Sequence, residues 1–128
     1  MKANELQIGD WVLYNETHQQ ILEISCIDDE VYLKTDELVH LSEIQPIPLT
    51  TEILKKNGFD TSDPEVKQYH FTEDGQSYHF SLRQMYNQKD NKPNGYSFYA
   101  FCVLTIIDYV HQLQHALRLC GIEKDIVL

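Results

Sequence analysis

Asp108, His111 and His115 are the residues whose types and spacing come nearest to chemistry in this chain. At i, i+3 and i+7 of a helix they fall within about 60° of one another. Two imidazoles and a carboxylate are donor types that zinc or another borderline metal accepts. Against a metal, no glutamate follows the first histidine as in H-E-x-x-H, and Asp108 already has a local use near a helix N-terminus. The pair also falls on the polar side of the helix, so no metal is assigned. A second cluster, His111, Gln112 and Gln114, lines up hydrogen-bonding side chains beside the apolar face, suited to contacting a partner or tying down the chain end. Trp11 is the third binding candidate, as a groove-lining aromatic, although a lone tryptophan there is more often a core plug.

No nucleophile or nucleotide signature accompanies these residues. G-x-S-x-G, the P-loop and G-x-G-x-x-G are absent, and the five glycines stand singly. Cys26, Cys102 and Cys120 are odd in number and have no C-x-x-C spacing, so they are expected to be buried, reduced thiols. Neither catalysis nor a cofactor is expected.

The element that must carry the histidines is a helix over Thr105–Gly121. Ile106, Tyr109, Val110, Leu113, Ala116, Leu117 and Cys120 gather into one apolar arc. Asp108, His111, Gln112, His115 and Arg118 fall opposite. Thr105 is the expected N-cap, with Asp108 as its capping-box acid, and Gly121 the stop.

Before it, residues 11–14, 20–27, 31–34 and 38–41 read as short strands separated by turns, with one helical turn at 42–44. That pattern resembles an SH3-like small antiparallel barrel. Thr50 or Thr51 caps a short helix that Asn57-Gly58 ends, and this helix is the expected joint. Residues 68–71 and 77–82 form a hairpin placing His70 across from His79. Residues 84–95 read as a long flexible loop or a wide hairpin connection and 96–104 as a central strand, and the tail 122–128 suits a last short strand. The expected fold is α+β: a barrel lobe over 1–49 joined to a lobe over 50–128 of antiparallel strands packed on the long C-terminal helix. With 128 residues, 42% of them hydrophobic, the chain can build a core unaided.

Charge is unevenly spread. Residues 1–49 hold ten acids against Lys2 and Lys34, a net −8, whereas 50–128 hold ten acids against eight bases, a net −2. So acidic an N-terminal lobe repels a phosphate backbone, which argues against direct nucleic-acid binding and leaves basic partners open. No run of 18 apolar residues and no apolar signal core occurs, so no membrane association and a cytoplasmic location are expected.

Three motifs in order, Leu6-x-Ile8-Gly9-Asp10-Trp11-Val12, Ile44-x-Pro46-Ile47-Pro48-Leu49-Thr50-x-Glu52-Ile53-Leu54 with Asn57-Gly58-Phe59, and Tyr109-Val110-His111-Gln112-Leu113-Gln114, span nearly the whole chain. In these the sequence resembles a family of small uncharacterised proteins carried by phages, prophages and mobile elements of gut bacteria. It departs from that family at His115-Ala116-Leu117, where the relatives are more aromatic. The resemblance implies a mobile-element setting and brings no catalytic residue with it.

The function expected from these observations is a non-enzymatic protein-interaction module with a protein partner. The alternatives are a metal- or small-ligand-binding enzyme centred on Asp108, His111 and His115, or an acidic nucleic-acid mimic. Aromatic-rich strands are compatible with a homodimer.

Overall fold

Short strand-forming runs broken by turn residues recur along this chain, and the computed structural model is accordingly α+β. Two four-stranded antiparallel sheets are accompanied by one main helix near the C-terminus. Residues 1–73, 75–99, 103–122 and 124–128 are described. By internal packing the chain divides into two units, Met1–Pro48 with Tyr109–His115, and Leu49–Asp108 with Ala116–Leu128. The first part of the last helix thus belongs with the N-terminal unit rather than with the C-terminal lobe where the sequence placed it.

In the first unit, β1 (Trp11–Tyr14), β2 (Thr17–Ser25), β3 (Glu30–Leu33) and β4 (Leu38–His40) follow one another as a meander. Tyr14 pairs with Thr17 across a two-residue turn, and both turn residues, Asn15 and Glu16, have positive φ. That backbone matches the twist of the flanking strands. Val12, Ile21, Val31, Leu33 and Val39 are closed off from water and form the core with Leu6, Leu41 and Ile44. Past a 3-10 turn at Leu41–Glu43, Gln45 exchanges two backbone hydrogen bonds with Leu13 of β1 (2.8 and 2.9 Å).

Two expectations fail here. Strand β2 ends at Ser25, so Cys26 lies in the following turn and is exposed, beside an Ile27 that is 96% exposed. The apolar character of Cys26-Ile27 lost to the turn-forming Asp28-Asp29, whose Asp29 has positive φ. Trp11 is half-buried and outside the core cluster; Val12, its neighbour on the other face, fills the core instead.

In the second unit, α1 (Thr51–Lys56) is capped by Thr50, whose hydroxyl accepts from the Ile53 N–H at 3.3 Å. Strands β5 (Val66–Glu73), β6 (Gln76–Tyr86), β7 (Pro93–Tyr99) and β8 (Val103–Ile107) form its meander. Tyr69 faces Phe80 and His70 faces His79, as the hairpin reading requires. The rings of Phe59, Tyr69, Phe80 and Phe98 pack with neighbouring centroids 5.3 to 5.5 Å apart, a spacing typical of core aromatics.

Of the stretch 84–95, read as a long loop or a wide hairpin connection, half is strand: β6 continues to Tyr86 and β7 begins at Pro93, so only 87–92 connects the hairpin. The expected central strand over 96–104 is divided between β7 and β8, which pair antiparallel; its Ala100, Phe101 and Cys102 lie outside the described residues. Strand β8 also takes the residues expected to open the last helix. Ile106 is 53% exposed and Ile107 fully buried, the two-residue alternation of a strand rather than a helical arc. The β-branched run Val-x-Thr-Ile-Ile prefers that geometry. The helix, α2, therefore spans Val110–Leu119.

One glycine is indispensable by geometry. Gly95 has φ +71°, and a methyl group there would collide with the carboxylate of Asp108.

The tail 124–128 forms no strand among the described residues; a side-chain clamp holds it. Buried Asn57 donates to Val127 O (2.8 Å) and to Ile53 O (2.8 Å), while its Oδ1 accepts from Val127 N (2.7 Å). Removing those partners leaves the Val127 N–H and carbonyl without their part-buried bonds. Asn57→Ala is therefore expected to lower the unfolding free energy by about 2–3 kcal/mol. In hydrogen exchange, the Val127 amide should lose protection before the sheet does.

Candidate functional site

The site is built from a turn, a strand start and the first part of a helix, all within the first unit. Gln7-Ile8-Gly9-Asp10 closes a turn through Asp10 N–H to Gln7 O (3.1 Å), with Gly9 at φ +91°. That conformation belongs to glycine at the third turn position. The Asp10 carboxylate folds back to accept the Gln7 N–H at 2.8 Å. Asp10 has no exposed surface at all.

Helix α2 supplies what a buried carboxylate needs. His115 Nε2 lies 2.7 Å from Asp10 Oδ2, with the histidine side chain 24% exposed. One residue earlier, Gln114 grips the backbone on either side of Asp10. Its Oε1 accepts from Trp11 N–H (2.9 Å), and its Nε2 donates to Gly9 O (3.0 Å). Gln114 is 6% exposed, so this amide is satisfied inside the unit rather than offered to solvent.

The start of α2 is fixed by a different route from the one expected of Thr105 and Asp108. Gln112 Oε1 accepts from the Tyr109 N–H three residues back (3.1 Å), and Val110 N–H donates to Ile47 O (2.9 Å). Two of the helix's orphan donors are satisfied in this way.

These bonds leave a cleft of about 480 Å³ beside the helix. Tyr109, His111, Gln112 and His115 form its helical wall, and Asn4, Glu5, Pro46 and Met1 face them. The Tyr109 and His111 rings lie nearly parallel (11°, centroids 5.9 Å apart), and His115 meets His111 edge-on at 5.6 Å.

His111 is the anomalous residue of this group. Only 4% of it is exposed, and its buried Nδ1 has no hydrogen-bond partner among the described residues. Burial is the main reason its imidazole titrates below the usual histidine range. The Asp10 carboxylate opposes that shift, neighbouring His115 adds to it, and Glu5 opposes it. At neutral pH His111 is therefore uncharged, with one acceptor nitrogen to offer.

Of the residues expected to form a site, His111 and His115 come together, Gln112 joins them at the cleft, and Gln114 lies on the neighbouring turn with its amide engaged. Trp11 takes part through its backbone N–H. Asp108 belongs to the second unit, where its carboxylate lies against Gly95. Among the described residues no group of three or more His, Cys, Asp or Glu side chains is arranged to hold a metal ion. Sequence reasoning missed Asp10 and Glu5. The available signal was a lone acid between a turn glycine and an apolar strand, a position that buries it. Of the cysteines, half-buried Cys120 has its thiol pushed up by burial, which lowers its reactivity.

No family model, curated protein or solved structure matches the chain. Among the described residues no helix is long and apolar enough to cross a membrane.

The unpartnered nitrogen sets a stability cost. The unfolded chain protonates His111 near pH 6.5 while the folded state resists, so its contribution destabilises the fold as pH falls below about 6.5. The loss levels off beneath the folded pKa. His111→Phe keeps an aromatic ring against Tyr109 and removes the orphan. It should raise the unfolding free energy at neutral pH by about 1 kcal/mol. In urea titrations between pH 7 and about pH 5.5, it should also flatten the fall in stability relative to the parent.

Proposed function

We propose that the chain is a non-enzymatic protein-interaction module of a mobile element whose first unit binds a basic segment of a partner protein. The observation that carries this reading is charge at the surface. Glu5, Glu16, Glu23, Asp28, Asp29, Asp36, Glu37 and Glu43 are all exposed in that unit, against exposed Lys2 and Lys34. A field of one sign steers an oppositely charged chain and repels nucleic acid. An open cleft within the same unit gives such a chain somewhere to seat a side chain. An SH3-like closure of the first sheet is part of the proposal, supported by the paired hydrogen bonds between Leu13 and Gln45.

A second reading, a small-ligand enzyme, draws on the buried Asp10 carboxylate held by His115, an arrangement that orients an imidazole for proton transfer. No serine, threonine or cysteine lines the cleft as described, so this pair has no neighbouring nucleophile to activate.

The test is affinity isolation from the native host with the parent and with a variant carrying Glu16→Lys, Glu23→Lys, Asp28→Lys and Glu37→Lys. All four positions are exposed, so the fold should be retained. The expected result is a stoichiometric partner with a basic binding segment, released by roughly 0.5 M salt and not retained by the variant. Equal retention of every protein by both forms would contradict the reading.

A further inference from the structure

We propose that the cleft beside α2 is a guanidinium site, taking the side chain of an arginine. This rests on the basic-partner reading above and names the group that the partner inserts. Three features of the cleft converge on that chemistry. Glu5 contributes an exposed carboxylate that accepts the Lys2 backbone N–H at 3.3 Å, a long bond that leaves acceptor capacity. Tyr109 and His111 present nearly parallel rings, a flat face against which a planar cation stacks. The unit around the cleft carries a net −8, a field that draws a cation toward it.

A guanidinium answers all three. It carries a full positive charge on a plane with five N–H donors and no acceptor, so it bonds a carboxylate in fork geometry while its plane lies against the rings. Because burial keeps His111 neutral, its ring adds no repulsion to an incoming cation. An ammonium meets the charge requirement but has no plane to stack, so lysine fits less well. An anion is disfavoured by Glu5 and by the net −8 of residues 1–48.

The test uses three capped tripeptides, acetyl-Gly-Arg-Gly-amide and its lysine and citrulline counterparts, titrated into the intact protein and followed by NMR of the histidine and tyrosine ring protons. Citrulline keeps the shape of arginine without its charge. The expected result is that the arginine peptide moves the Tyr109, His111 and His115 resonances together. The lysine peptide should bind at least about threefold more weakly, and the citrulline peptide should leave the rings unmoved. Glu5→Gln should weaken the arginine peptide by about tenfold while leaving the parent spectrum otherwise intact.

Equal binding of arginine and citrulline, or of arginine and lysine, would overturn the proposal. So would an arginine titration that moves no ring resonance of the cleft. If the cleft fails in this way while the charge-reversed variant still loses its partner, basic-partner binding stands and the cleft is not its seat. If the arginine peptide binds while the charge-reversed variant keeps every partner, the guanidinium site stands and the protein-partner reading falls.

Discussion

A carboxylate with no access to water has to be answered by donors, and Asp10 is answered by Gln7 N–H and by His115. Removed from water without such partners, a carboxylate costs several kcal/mol or gives up its charge. The need is met only when α2 lies against the turn before β1, so one side chain specifies where the helix sits in the first unit. Gln114 repeats the constraint with a neutral group, reading the Gly9 carbonyl and the Trp11 N–H on either side of Asp10. Residues more than a hundred positions apart are thereby held to within hydrogen-bond length.

The cleft follows from that arrangement. Once His115 turns to Asp10, His111, one helical turn before it, is drawn under cover on the same side of the helix. There it meets Tyr109 in a near-parallel stack and finds no partner for Nδ1 among the described residues. A buried polar atom left unsatisfied works against stability, and such atoms persist where something other than stability holds them. The wall across the cleft comes from Glu5 and Asn4 in the segment just before the turn that Asp10 closes, so the acid that faces the histidines is positioned by the same turn.

Much of the local structure was legible in the sequence because it depends on local rules. The strands of the first sheet lie between turn residues, Thr50 and Asn57-Gly58 bound α1, and the hairpin register follows from alternation on either side of Gly75. The start of α2 was misread because Ile106 fits a helical arc as well as a strand, and only the pairing of β8 with β7 decides between them. The pairing of β6 with β7 explains why 84–95 carries strand at both ends, the wide hairpin connection that composition left open beside a long loop. Spacing singles out His111, Gln112 and His115, but places them only on the polar side of the helix. Nothing local says that His115 meets a carboxylate 105 positions away. That information lies in the burial of Asp10, and burial belongs to the fold rather than to any window of sequence.

The most direct measurement is the protonation and tautomer of His115, read from its ring nitrogen-15 shifts in the parent and in Asp10→Asn. The account predicts a proton on Nε2 of His115 at neutral pH, protected from exchange by its bond to Asp10 and released to rapid exchange in the variant. A His115 Nε2 without a proton, or one exchanging as fast in the parent as in the variant, would contradict the claim that the buried carboxylate organises this site.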